Sequence, residues 1–224
     1  MTTSYNGWFA SENPDAIGIV PLVVAGEPFT PGVRGGDVKT VLQYVATQFH
    51  LRVEPLVRSD WHQADDWGWY YRANVNNPSV LSCHSSGTAI DINATRHPNG
   101  RAGTFTYAQI RVIRAILSEV SGVVRWGGDF SGTPDDMHWE ICKDAAAVAI
   151  VARNLRAGTT TATPTTTEDP MNATQYAEFK AAIDGLRRDQ REMANMLNEI
   201  AGTVGETVRL NILKGATNDG TIES

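Results

Sequence analysis

Ser82-Cys83-His84-Ser85-Ser86-Gly87-Thr88-Ala89-Ile90-Asp91-Ile92-Asn93 is a polar turn that runs into a short apolar strand. Asp91 stands between Ile90 and Ile92. A carboxylate buried there is costly unless a cation or hydrogen-bond donors meet it. Either it faces a metal, or it caps a turn or pairs with an arginine. Gly87 and Ala89 are small enough to let backbone approach an ion closely. Cys83 offers a thiolate beside His84, but neighbours on an extended strand point to opposite faces, so the two would not normally share one metal.

A second segment completes the picture. Asp135-Asp136-Met137-His138-Trp139-Glu140 places an acid three residues before a histidine and then enters an apolar strand. A hydrolytic zinc site needs three protein ligands, a fourth position left for water, and a base close to that water. His84, Asp91 and His138 are the candidate ligands and Asp135 the candidate base. The competing reading makes Asp135-Asp136 an exposed acidic turn after Pro134. Glu140 shares the strand face of His138 and can orient it. His97 reads as a loop residue, and His50 and His62 receive no role.

Outward from these segments the pattern is mixed. Helical spacing runs over Val38–Phe49, Tyr107–Val120 and Asp144–Leu155. Strands are expected at Leu51–Val57, Ala89–Asn93, Val123–Trp126 and Met137–Cys142. The reading is an α+β domain over residues 1–157, with helices against a small antiparallel sheet. The run Gly158–Pro170, GTTTATPTTTEDP, cannot bury a core and reads as a linker. Beyond it, residues 171–224 carry apolar residues at alternating steps of three and four (Tyr176, Phe179, Ile183, Leu186, Met193, Leu197, Ile200, Val204). That spacing predicts a C-terminal helix, a short coiled coil or a helix docking back, and with the first a homo-oligomer.

The 224-residue chain has net charge −6, which gives no general reason to expect a nucleic-acid partner. The N-terminus lacks the basic and apolar regions of a secretory signal, and no apolar run reaches the roughly 20 residues of a membrane span, so no membrane insertion is expected. Two cysteines, Cys83 and Cys142, do not make a disulfide scaffold.

Taken together, the string S-x-H-x-x-G-x-A-x-D over Ser82–Asp91, followed by an acid three before His-Trp, resembles the VanY-type zinc D-Ala-D-Ala carboxypeptidases. Their relatives include the L-alanyl-D-glutamate endopeptidases of phage endolysins. The likeness extends to Arg58-Ser59, to Trp67-Gly68-Trp69-Tyr70-Tyr71-Arg72 and to Val124-Arg125-Trp126-Gly127-Gly128, and covers nothing after the linker. It implies zinc held by His84, Asp91 and His138, and hydrolysis of bacterial peptidoglycan stem peptides. Asp135 matches the general base, where many relatives carry Glu, and the shorter acid favours the endolysin branch. Arg58 matches an arginine that stabilises the oxyanion. Arg72, Ser82 and Trp139 are the candidate substrate contacts. An endolysin made in the host cytoplasm without a signal, acting on the wall after release, is the leading expectation. A D,D-carboxypeptidase and a non-catalytic wall-binding or virion module are the alternatives.

Overall fold

The computed structural model describes residues 2–56 and 65–159. Arg58, the linker beyond Thr159 and the 171–224 segment with its expected helix lie outside the described residues.

The architecture is α+β, with small antiparallel sheets and three helices among the described residues. A first hairpin pairs β1 (Ile19–Val24) with β2 (Glu27–Arg34) through a turn in which Ala25 and Gly26 both take positive φ. Helix α1 (Asp37–Arg52) follows and buries Val38, Val41, Leu42, Val45, Ala46 and Phe49, the i, i+3, i+4 stripe of an amphipathic helix. A second, short hairpin joins β3 (Ala73–Asn74) to β4 (Asn77–Leu81). The central sheet has the order β5 (Ala89–Asp91), β7 (His138–Ile141), β6 (Val124–Trp126), antiparallel throughout.

Local chemistry fixes the other helices. At α2 (Tyr107–Glu119) the Thr106 hydroxyl accepts from the Gln109 N–H while the Gln109 side chain accepts from the Thr106 N–H, so two orphan donors are satisfied reciprocally. At α3 (Ala145–Arg156) the Asp144 carboxylate accepts from the Ala147 N–H at 2.9 Å. An Arg156–Asp37 ion pair at 2.6 Å ties the end of α3 to the start of α1.

The core lies between the helices and the inner face of the central sheet. Phe49 of α1 meets Phe105 and Trp139 edge-on, with centroids 5.8 and 6.0 Å apart. The helical side of the molecule thereby holds β7 in place, and β7 is the strand that carries His138.

One expected strand is not there. Leu51 and Arg52 are the last residues of α1, and Val53–Leu56 have no regular structure. Val53 N–H still bonds to the Phe49 carbonyl, Pro55 has no N–H for a ladder, and the Leu56 N–H donates to His50 Nδ1 at 3.0 Å. Among the described residues no helix is long and apolar enough to cross a membrane.

Candidate metal centre

Sheet register builds the first half of the site. Asp91 and His138 are direct cross-strand partners, and directly opposed residues share a face. A single turn of 3-10 helix, Cys83–Ser86, brings in the third group. Ser82 opens that turn by accepting the His84 N–H at 3.3 Å, and Gly87 closes it with φ +68°. A Cβ at Gly87 would also lie 2.4 Å from Ile19 Cδ1 and 2.8 Å from the Arg34 nitrogen, so glycine is required twice over.

His84 Nε2 lies 3.2 Å from Asp91 Oδ1 and 3.2 Å from His138 Nδ1, and His138 Nδ1 lies 3.0 Å from Asp91 Oδ1. All three residues are buried. The outer nitrogens show which atoms face inward. His84 Nδ1 is 2.5 Å from the Gly68 carbonyl, which can only accept, so Nδ1 carries the proton. His138 Nε2 is 2.9 Å from Glu140 Oε2 and donates to it. In their neutral forms both rings therefore aim lone pairs at one point, beside a carboxylate oxygen. Holding three electron-rich atoms this close takes a cation, either a proton on His138 Nδ1 or a metal. Burial alone would lower the His138 pKa, but hydrogen bonds and charge from Asp91 and Glu140 prevail and push it up to about 10. Burial would likewise raise Asp91, yet His84 and His138 hold it below the ordinary carboxylate range.

The set fits zinc. Bonds of about 2.0–2.2 Å at tetrahedral angles separate ligand atoms by about 3.3–3.6 Å, a few tenths of an ångström beyond the 3.0–3.2 Å seen here. Two imidazoles and a carboxylate are also donors that zinc accepts, leaving a fourth position for water.

Behind His138 stands Glu140, nearly fully buried. Its carboxylate accepts from His138, pairs with Arg125, its cross-strand partner, and meets the Cys83 thiol. Burial would raise it, but these partners, His138 first, bring the Glu140 pKa down to about 2. Burial pushes the Cys83 thiol up, and the Glu140 charge adds to it, so Cys83 stays a thiol turned away from the metal point. Both cysteines are free.

The two neighbouring aspartates separate cleanly. Asp136 Oδ2 accepts from the Thr104 N–H at 3.0 Å and the Thr104 hydroxyl at 2.6 Å, which is a structural role. Asp135 lines a cleft of about 500 Å³ together with His138, and its Oδ1 is buried with no hydrogen-bond partner. Burial raises its pKa, helped by the Asp91 charge and opposed by His138 and Asn99, which makes it a better proton acceptor than a solvated aspartate. Gly127 makes room for it: a Cβ there would lie 2.3 Å from the Asp135 carbonyl oxygen and 3.1 Å from His138 Cβ.

Arg72 and Ser82 line the same cleft. Trp139 does not, and its expected place among the substrate contacts needs correction. Its side chain is fully buried in the core against Phe49, because odd and even positions of β7 face opposite ways and His138 takes the cleft side. Arg58 is outside the described residues. His97, read from the sequence as a loop residue, does lie in a loop, but it is buried, stacked on Phe105 at 3.8 Å, and bonded to Glu54 and Thr104. Only its place in ThrArgHisPro was visible, and nothing local in that string signals burial. Arg125, stacked between Tyr5 and Phe130 at 5.1 Å from each, was likewise not singled out as a cleft residue.

Searches of curated proteins and of solved structures returned no match to the chain. Residues 75–141, the stretch that holds His84, Asp91, Asp135, His138 and Glu140, match the family model described as D-alanyl-D-alanine carboxypeptidase, which supports a peptidase activity of that kind.

Proposed function

We propose that the chain is a zinc peptidase acting on the stem peptides of bacterial peptidoglycan, in the manner of a phage endolysin that cuts the L-Ala–D-Glu bond. The observation that carries this is the convergence of His84 Nε2, His138 Nδ1 and Asp91 Oδ1 beside a cleft lined by Asp135, whose Oδ1 is buried without a hydrogen-bond partner. A zinc ion held by these three residues would activate water and polarise the scissile carbonyl. Asp135 takes the proton of the attacking water and passes it to the departing amine. Arg58, by its likeness in sequence, stabilises the oxyanion. Glu140 and the Gly68 carbonyl fix which nitrogen of each ring faces the metal.

A D-Ala-D-Ala carboxypeptidase is the second reading, favoured by the description of the matching family. A purely wall-binding module has no need of a metal set and a base together. Synthesis in a host cytoplasm, release to the wall and oligomerisation through residues 171–224, beyond the 158–170 linker, complete the proposal.

The test is mass spectrometry of digested peptidoglycan. A new N-terminal D-Glu or D-isoGln identifies L-Ala–D-Glu cleavage, released D-Ala identifies the carboxypeptidase, and no product from zinc-loaded protein sinks both. Purified protein should carry about one zinc per chain.

A further inference from the structure

Among the described residues two arginines, Arg72 and Arg125, line the cleft beside the metal point. Arg125 is already neutralised by Glu140. Asp129, an acid of the same lining, is taken by Arg114 through both of its oxygens. Among the described residues the Arg72 guanidinium makes one hydrogen bond, a long one of 3.4 Å to the Ala73 carbonyl, and no carboxylate pairs with it. Among the described residues nothing offsets its cationic charge in the cleft.

Its backbone, by contrast, is pinned. The Arg72 N–H donates to Ser85 Oγ at 3.0 Å, and the Arg72 carbonyl accepts from Ser85 Oγ at 2.9 Å and from the Ser82 N–H at 3.0 Å. Two residues earlier, the Tyr70 N–H donates to the His84 carbonyl at 3.3 Å. Segment 70–72 is therefore bonded along the very turn that carries His84, and Ser85 is fully buried. A guanidinium presented from a fixed backbone beside a hydrolytic centre is suited to a planar anion, because its fork matches the two oxygens of a carboxylate.

We infer that Arg72 anchors a free carboxylate of the substrate close to the bond that is cut, so that the enzyme selects acidic over amidated stem peptides. The inference rests on the peptidase function proposed above. Two groups of a stem peptide offer this chemistry: the α-carboxylate of γ-linked D-Glu, and the C-terminal carboxylate of D-Ala.

Three synthetic peptides separate them: L-Ala-γ-D-Glu-L-Lys-D-Ala-D-Ala, the same peptide with the D-Glu α-carboxylate as carboxamide, and the same with a C-terminal carboxamide. With zinc-loaded full-length protein, one carboxamide lowers kcat/KM by about ten- to hundred-fold, the loss expected for a charge-assisted hydrogen-bond pair. The one that does so identifies the source. Arg72→Gln cuts the free peptide at that lower rate and no longer distinguishes it from the carboxamide, while Arg72→Lys restores part of the discrimination. Equal rates on all three peptides for the wild type, or full discrimination kept in Arg72→Gln, overturns the anchor. Calorimetric binding of the same peptides to zinc-loaded Asp135→Asn gives a readout without turnover. Selective binding with no cleavage by the wild type overturns the peptidase function and leaves the anchor standing, whereas unselective binding overturns the anchor alone.

Discussion

Asp135 and Asp136 are adjacent and chemically identical, yet their surroundings give them different work. Asp136 accepts twice from Thr104 through Oδ2, and Asp135 keeps a buried oxygen without a partner beside the cleft. Asp135→Asn should retain zinc and lose about 10²–10⁴-fold in kcat, the usual worth of a general base, with metal content and turnover measured on one preparation. Asp136→Asn should instead keep its catalytic rate on folded protein and lower the unfolding free energy by about 1–3 kcal/mol in denaturant melts. Behind the candidate ligands, Glu140→Ala removes the acceptor that fixes His138 with its proton on Nε2. Zinc affinity should fall by about 10–100-fold in a chelator competition, and Glu140→Gln, which keeps an accepting oxygen, should recover part of it. Unchanged affinity in Glu140→Ala would remove that orienting role.

At the scale of elements, the site is an accident of neither loop nor helix but of register. Asp91 faces His138 and Arg125 faces Glu140 because β7 lies between β5 and β6, and a slip of one residue would turn both ligand and acid into the core. The turn after β6 must then pass under Asp135, and Gly127 allows it. Gly127→Ala should cost about 1–3 kcal/mol of stability, as overpacking does, and should lower kcat more than KM because the displaced group is Asp135. A variant with wild-type melting and turnover would contradict the contact. Legibility was uneven at this scale. Three helices were readable from apolar spacing and the central strands from short apolar runs. The first hairpin was not, since Pro21, Pro28, Pro31 and Gly32 interrupt its alternation. Leu51–Val57 looked like a strand only because its β-branched and apolar residues mask a helix end.

For the whole molecule, metal, proton and fold are linked. The His138 pKa is raised from 6.5 to about 10 in the folded, metal-free chain, so this group adds stability that is complete below 6.5 and is lost as pH rises toward 10. Asp91 is depressed, so its contribution is present above 3.8 and is lost as pH falls through its lower folded value. Zinc binding at this group would run the other way, because the ion would displace the His138 proton. Zinc affinity should therefore rise with pH over this range, by roughly ten-fold per pH unit for one displaced proton. The rise in Tm on adding zinc should accordingly be larger at about pH 8 than at about pH 6, and stripping the metal should remove up to about 4 kcal/mol when zinc stands at 1,000 times its Kd. Differential scanning fluorimetry with and without chelator checks both, and a pH-independent shift would show that His138 is not the proton being displaced.

The sequence by itself determined the candidate donors that the fold gathers, two imidazoles and a carboxylate, with an acid three residues before the second histidine, because such a pattern depends on residue type and short spacing. It also determined the α+β class, through apolar periodicity. Only the tertiary structure decided that His84 points Nε2 inward and His138 Nδ1, that Glu140 binds His138, Arg125 and Cys83 at once, that Trp139 belongs to the core, and that Arg72 lines the cleft with no carboxylate partner among the described residues. Each of these depends on strands and turns distant in the chain coming into register, and no local pattern records which face a neighbour will fill.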